Sequence, residues 1–140
     1  MSCCDNREVV TTEKAKAIGP YSVGVKAGHF VYCSGQVGLD QVTGNLVEGG
    51  IEGETRQTLI NLSNILQAAG SNLERVVKTT VFLRDMNDFA RMNAAYAEFF
   101  QHEPPARTTI QAAALPRNAA VVIEAIALLA PDDVDGCCGE

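Results

Sequence analysis

No apolar run in this 140-residue chain reaches the ~18–20 residues that a helix needs to cross a bilayer, so no membrane span is expected. There is no cluster of Lys and Arg either. A nucleic-acid ligand normally needs such a cluster to neutralise phosphates, and its absence counts against RNA or DNA. Histidine is scarce, with only His29 and His102. Cys33 and Ser34 therefore lack a convincing His-Asp arrangement for nucleophilic catalysis, and no Gly-x-Ser-x-Gly elbow is present. The phosphate-binding P-loop, the dinucleotide glycine fingerprint and the zinc-protease helix are missing as well. Met1-Ser2-Cys3-Cys4-Asp5-Asn6 shows neither a secretory apolar core nor an Arg-rich transit pattern, and Ser2 stands where myristoylation requires glycine. Gly139 and Glu140 fit a prenylation signal badly. The expected location is the cytoplasm.

What is present reads as one ordinary domain. Seventeen acidic and 11 basic residues give a formal charge of −6, and 46% of residues are hydrophobic. A chain of this length hides roughly two thirds of the surface that its unfolded form exposes. The charge is too modest, and apolar residues too frequent, for disorder throughout. Residues 131–140 carry Asp132, Asp133, Asp135 and Glu140 without a base, so the body is nearly neutral and the tail acidic. Of the five cysteines, Cys3, Cys4, Cys137 and Cys138 lie in the tails, which does not read as a disulfide framework. Two adjacent pairs could offer four thiolates to a soft metal, while the plainer expectation is reduced thiols on loose tails. The expected organisation is a flexible tail at 1–8, a domain at 9–130 and an acidic, cysteine-containing tail at 131–140.

Strand-like runs are expected at residues 9–12, 23–26 and 30–34, the last two joined as a hairpin through Ala27-Gly28-His29. Four glycines make residues 40–53 a loop. Leu59, Leu62, Ile65, Leu66 and Ala69 recur at helical spacing over residues 54–69, and Gly70 is placed to end that helix in the left-handed region. Residues 76–83 form a strand. Residues 85–88 supply N-caps for a second helix reaching Phe100, and Pro104-Pro105 stops any continuation. Strands at 108–113 and 120–129 follow, separated by a turn at 115–118. The order β-β-β-α-β-α-β-β predicts an α+β domain with a helix-covered sheet.

Glu124 interrupts the apolar run 121–129. A strand apolar on both sides is expected to be buried on both faces, where an ionised carboxylate is costly unless it is paired. Carboxylates tuned by burial or neighbouring charge serve as general acids or bases, and a Glu satisfied by a buried Arg or by backbone amides fits equally. Pro104-Pro105-Ala106 fixes a rigid approach to Arg107. Held there, the guanidinium can fork onto a carboxylate, or simply end an exposed strand. The turn near Pro116 is expected to set the strand of Arg107 beside that of Glu124, with the face of each left to register. Asn93 lies on the helical line Phe89, Asn93, Tyr96, Phe100, where a buried amide needs a partner from backbone or ligand. Ser34-Gly35-Gln36 ends a strand, and Gly35 permits a close approach. Tyr21, after Gly19-Pro20, walls a pocket or packs in the core.

Six segments in order resemble the reactive intermediate deaminase A family, also called RidA or YjgF, over residues 9–130. They are Ile18-Gly19-Pro20-Tyr21, Ser34-Gly35-Gln36, Val77-Lys78-Thr79-Thr80-Val81-Phe82-Leu83, Asn93-Ala94-Ala95-Tyr96 before Phe99-Phe100, Pro105-Ala106-Arg107, and Ile123-Glu124-Ala125-Ile126-Ala127. The resemblance implies a chorismate-mutase-like α+β fold, a mixed sheet covered by two helices. It also implies a homotrimer around a central β-barrel, with clefts between subunits. The implied activity is hydrolysis of 2-imino acids, such as 2-iminopropanoate and 2-iminobutanoate, to 2-keto acids and ammonia, without metal or organic cofactor. These imines escape from pyridoxal-phosphate enzymes that dehydrate serine and threonine. By that resemblance Arg107 grips the substrate carboxylate and Glu124 orients or activates water. Tyr21, Ser34, Gly35, Asn93 and Thr109 match pocket positions, Thr109 standing where many bacterial members have cysteine. Some relatives are described as endoribonucleases that inhibit translation, and others as binding or chaperone-like proteins. The missing basic patch argues against the first, and the joint presence of Arg107 and Glu124 against the second.

Overall fold

Alternating burial along the last strand settles the layering. In this computed structural model, which describes residues 6–131, Val121, Ile123, Ala125 and Ala127 are buried while Val122, Glu124, Ile126 and Leu128 are half-buried or exposed. That strand, β6 (Val121–Leu128), follows β1 (Arg7–Val10), β2 (Gly24–Ala27), β3 (Phe30–Gln36), α1 (Gly50–Ala68), β4 (Val76–Leu83), α2 (Phe89–Ala97) and β5 (Ala106–Gln111). Short 3-10 turns at Leu73–Arg75, Met86–Asp88 and Pro116–Asn118 complete the path. This is the predicted α+β order. The six strands form one sheet in the order β1-β2-β3-β6-β4-β5. Every neighbouring pair is antiparallel except β4 and β5, whose parallel pairing requires the crossover that α2 supplies.

Both helices pack on the same face and against each other. Leu59, Leu62, Ile65 and Leu66 of α1 and Met92 of α2 meet Val31, Val81, Leu83 and Ile123 in one core. Each such side chain contributes about 1.5–3 kcal/mol through burial. In the single chain the Glu124 strand is buried on one face only, because no described residue covers the second. The expected adjacency of the Arg107 and Glu124 strands is overturned, since β4 lies between β5 and β6.

Local chemistry sets the element ends. Ala27 pairs with Phe30, leaving Gly28 and His29 as the hairpin turn, with Gly28 at φ 60°. α1 begins at Gly50, earlier than its periodicity indicated, after Gly49 and Gly50 turn the chain with φ of 107° and 64°. A Cβ on Gly53 would strike the carbonyl of Glu48, so this glycine lets the incoming chain lie against the first turn. α1 closes as expected in a Schellman motif: Ser71 N–H donates to Leu66 O at 2.8 Å, Gly70 N–H donates to Gln67 O at 3.1 Å, and Gly70 takes φ 83°. Before α2, Asp85 caps the 3-10 turn by accepting from Asn87 N–H. α2 stops at Ala97, short of Phe100, and Phe99 and Phe100 pack half-buried on the core. β1 starts at Arg7, inside the segment expected as a tail, and places Val10 in the core. β5 starts at Ala106, because pairing with Lys78 begins directly after Pro105. Cys3, Cys4, Cys137 and Cys138 lie outside the described residues, and with them the metal reading.

Two buried polar side chains of α1 fix the segments that flank the site. Asn61 Nδ2 donates to the carbonyls of Val37 and Leu39, both at 3.0 Å, pinning the chain that leaves β3. Glu54 Oε1 accepts from Ala120 N–H at 2.8 Å, pinning the entry to β6.

Candidate functional site: an arginine and a glutamate on opposite faces

Arg107 pairs in register with Thr79 of β4, so its side chain shares the helix-covered face with buried Thr79. There α2 presents Phe89, Asn93 and Tyr96, which its helical spacing places on one side. Asn93 Oδ1 accepts from Arg107 Nη2 at 2.7 Å. The guanidinium carbon lies 4.7 Å from the Tyr96 ring centroid and 5.6 Å from that of Phe89, within cation–π range. The Tyr96 and Thr79 hydroxyls share a buried hydrogen bond of 2.8 Å. Burial raises the Tyr96 pKa above its ordinary value, against smaller opposing effects of the Thr79 hydrogen bond and the Arg107 charge, so the ring stays a neutral phenol. Thr109, paired with Val81, lies half-buried on this same face.

Glu124 pairs with Thr80, and both point to the uncovered face. The row continues through Thr108 of β5, whose Oγ1 accepts from Lys78 Nζ at 3.1 Å. Tyr32, Cys33, Lys78, Thr80, Glu124, Ala125 and Ile126 line a hollow of about 160 Å³. Glu124 is exposed in the single chain, and among the described residues its carboxylate has no hydrogen-bond or ion-pair partner. Of the two states left open for it, the Glu satisfied by a buried Arg or by backbone amides is not found among the described residues. Burial pushes the Cys33 thiol up to about 12, so it is no nucleophile near neutral pH.

Tyr21 and Gly35 line a smaller hollow of about 50 Å³ with Gln36, Pro116 and Val122. Tyr21 is exposed there rather than in the core. The β3–β6 register slips between Cys33 and Gln36, and Ser34 and Gly35 occupy that bulge. A Cβ on Gly35 would lie 2.7 Å from Val122 Cγ1, so this glycine admits the β6 side chain. Ser34 Oγ donates to the carbonyl of Ser22 at 2.6 Å. Val122 sits two residues from Glu124 on the same strand face.

The singled-out residues therefore fall into two groups. Arg107, Asn93 and Thr109 gather on the helix side of the sheet, and Glu124, Tyr21, Ser34 and Gly35 on the other. Aromatic contacts to Arg107 were not foreseen from the sequence, where Phe89 and Tyr96 read as core residues. Among the described residues, no three His, Cys, Asp or Glu side chains gather as a metal site, and no helix is long and apolar enough to cross a membrane.

Fold and site together define a small one-sheet α+β protein that keeps an aromatic-held arginine and an unpartnered glutamate on opposite sheet faces. Residues 11–129 match the family model described as Endoribonuclease L-PSP. The chain is 53% identical over 126 residues to the 2-iminobutanoate/2-iminopropanoate deaminase of Mus musculus, covering 89% of this chain and 93% of that protein. It is 50% identical over 122 residues to a RutC family protein of Pyrococcus horikoshii, covering 86% and 97%. The crystal structure of E. coli TdcF with bound serine matches with a TM-score of 0.83 at 38% identity, covering 88% of this chain and 99% of that one. The chain belongs to the Endoribonuclease L-PSP family, the YjgF or RidA family of the resemblance drawn from its motifs.

Proposed function

We propose that this protein hydrolyses small 2-imino acids, such as 2-iminopropanoate and 2-iminobutanoate, to 2-keto acids and ammonia. The observation that carries the reading is the Arg107 guanidinium, held on its helix side by Asn93, Tyr96 and Phe89 with most of its N–H groups uncommitted. Such a group accepts a carboxylate in bidentate fashion and fixes the imine carbon in place. Glu124 takes a proton from water as its oxygen bonds to the C=N carbon. The imine nitrogen takes a proton from solvent, giving a carbinolamine whose hydroxyl proton goes back to solvent as the C=O bond forms. Collapse to the keto acid then expels ammonia, with the Glu124 carboxyl group returning its proton to the departing nitrogen. Tyr21, Ser34 and Gly35 wall the Glu124 side, and Asn93 and Thr109 the Arg107 side. No metal or organic cofactor enters these steps.

One chain cannot bring Arg107 and Glu124 to the same small molecule, because its own sheet separates them. The reading therefore includes a homotrimer around a central β-barrel, with Arg107 of one copy facing Glu124 of the next. The uncovered sheet face supports this. Val9, Tyr32, Ile110 and Leu128 there are 37–47% exposed, with Phe30, Phe82 and Ile126 half-buried beside them. Apolar side chains exposed on both sides of the Glu124–Thr80–Thr108 row call for a partner surface. We place the activity in the cytosol.

The test generates the imine in place with a serine/threonine dehydratase and follows keto-acid formation against spontaneous hydrolysis. Wild type is expected to accelerate it, and Arg107→Ala and Glu124→Gln to lose at least about a hundredfold while remaining folded. A folded wild type that gives no acceleration removes the deaminase reading.

A further inference from the structure

Tyr96 is 6% exposed and Thr79 1%. Their hydroxyls bond to each other at 2.8 Å inside the domain, and the Phe100 ring backs Tyr96 at a centroid distance of 4.7 Å. The Tyr96 ring is thus fixed from two directions before it meets Arg107. Asn93 fixes one guanidinium nitrogen, and Phe89, on the exposed end of the same helix side, offers a second ring. An unrestrained arginine side chain samples many rotamers and loses that freedom when it grips a ligand, whereas one already held loses less. We infer that Tyr96, pinned by Thr79 and assisted by Phe89, is the positioning residue that presets Arg107 for a substrate carboxylate. The inference rests on the deaminase reading for its ligand. It adds that carboxylate affinity depends on the aromatic residues that hold the guanidinium.

The effect belongs in ground-state binding, since a preset anchor grips the carboxylate before and during the reaction alike. In the trimeric protein, Tyr96→Leu is expected to raise KM for 2-iminobutanoate, and Kd for 2-oxobutanoate by calorimetry, about tenfold. Phe89→Leu is expected to raise both about threefold, with kcat within about twofold of wild type in each case. Tyr96→Phe keeps the ring but frees it from Thr79, and is expected to fall between wild type and Tyr96→Leu. A purely structural role would lower the melting temperature and the active fraction, and hence kcat, and leave KM and Kd unmoved. If Tyr96→Leu does not fold, Phe89→Leu decides, because its ring lies at the surface. Wild-type KM and Kd in folded Phe89→Leu, or losses confined to kcat, overturn the inference. A wild type that binds 2-oxobutanoate without turning over the imine loses the deaminase reading alone, and the Kd series still decides this one. A wild type that neither binds nor turns over loses both.

Discussion

The Cys33 thiol keeps its proton far beyond the pH at which an exposed thiol gives it up, because burial shifts its pKa from 9.0 to about 12. The folded chain thus holds a proton that the unfolded chain releases. The stability linked to this group is fully present below about pH 9 and is lost as pH rises through the window towards 12. Urea-unfolding midpoints are expected to fall across that window in wild type and to fall less steeply in Cys33→Ala; parallel slopes would contradict it. Other residues differ in how much they disclose. Glu124 announces itself as the single charge in an apolar run, but its face depends on register, and a shift of one residue reverses every side chain of a strand. Arg107 is marked by the prolines before it. Its aromatic neighbours are not marked, because ring spacing that serves a guanidinium is identical to ring spacing that serves a core.

At the level of elements, Gly53 carries opposing demands. Alanine is favoured over glycine inside a helix by about 1 kcal/mol, yet a Cβ here would overlap the backbone carbonyl of Glu48. Backbone cannot move aside as the end of a side chain can. Gly53→Ala is therefore expected to destabilise the domain by about 1–3 kcal/mol, read as a lower thermal midpoint; an unchanged or raised midpoint would refute the contact. The same conflict explains why the centre of α1 was legible and its start was not: the four glycines of residues 40–53 argue locally for a loop, yet Gly50 and Gly53 lie inside the helix, Gly53 because the carbonyl of Glu48 leaves no room for a Cβ. The β5–β6 connection misleads in a related way. Sequence nearness suggested a hairpin, but the chain crosses the end of β4. Ala112 N–H donates to Leu83 O there, and Arg84 N–H to Ala120 O. Arg117 and Asn118 bend the path with φ of 60° and 55°, a conformation that asparagine tolerates and arginine does not announce.

For the whole molecule, the separation of Arg107 from Glu124 by the sheet makes a prediction about mixtures. Arg107→Ala and Glu124→Gln are each expected to be inactive alone. Refolded together in equal amounts, they are expected to recover about a quarter of wild-type activity, because random assembly then gives that share of sites both intact residues. A site contained within one chain would recover nothing. The α+β class and helix-covered sheet were legible from element order, because periodicity reports which residues face a core. The uncovered second face was not, since an apolar residue reads the same whether its own helix or another copy covers it.

That geometry also has a consequence in time. On the trimer reading, a newly synthesised chain folds with its arginine already held and its glutamate already in place, yet it is silent. Activity switches on with encounter rather than with folding, so its onset after synthesis steepens with the number of copies present. Protection against a reactive metabolite would then lag behind the abundance of the protein at low expression and follow it closely at high expression.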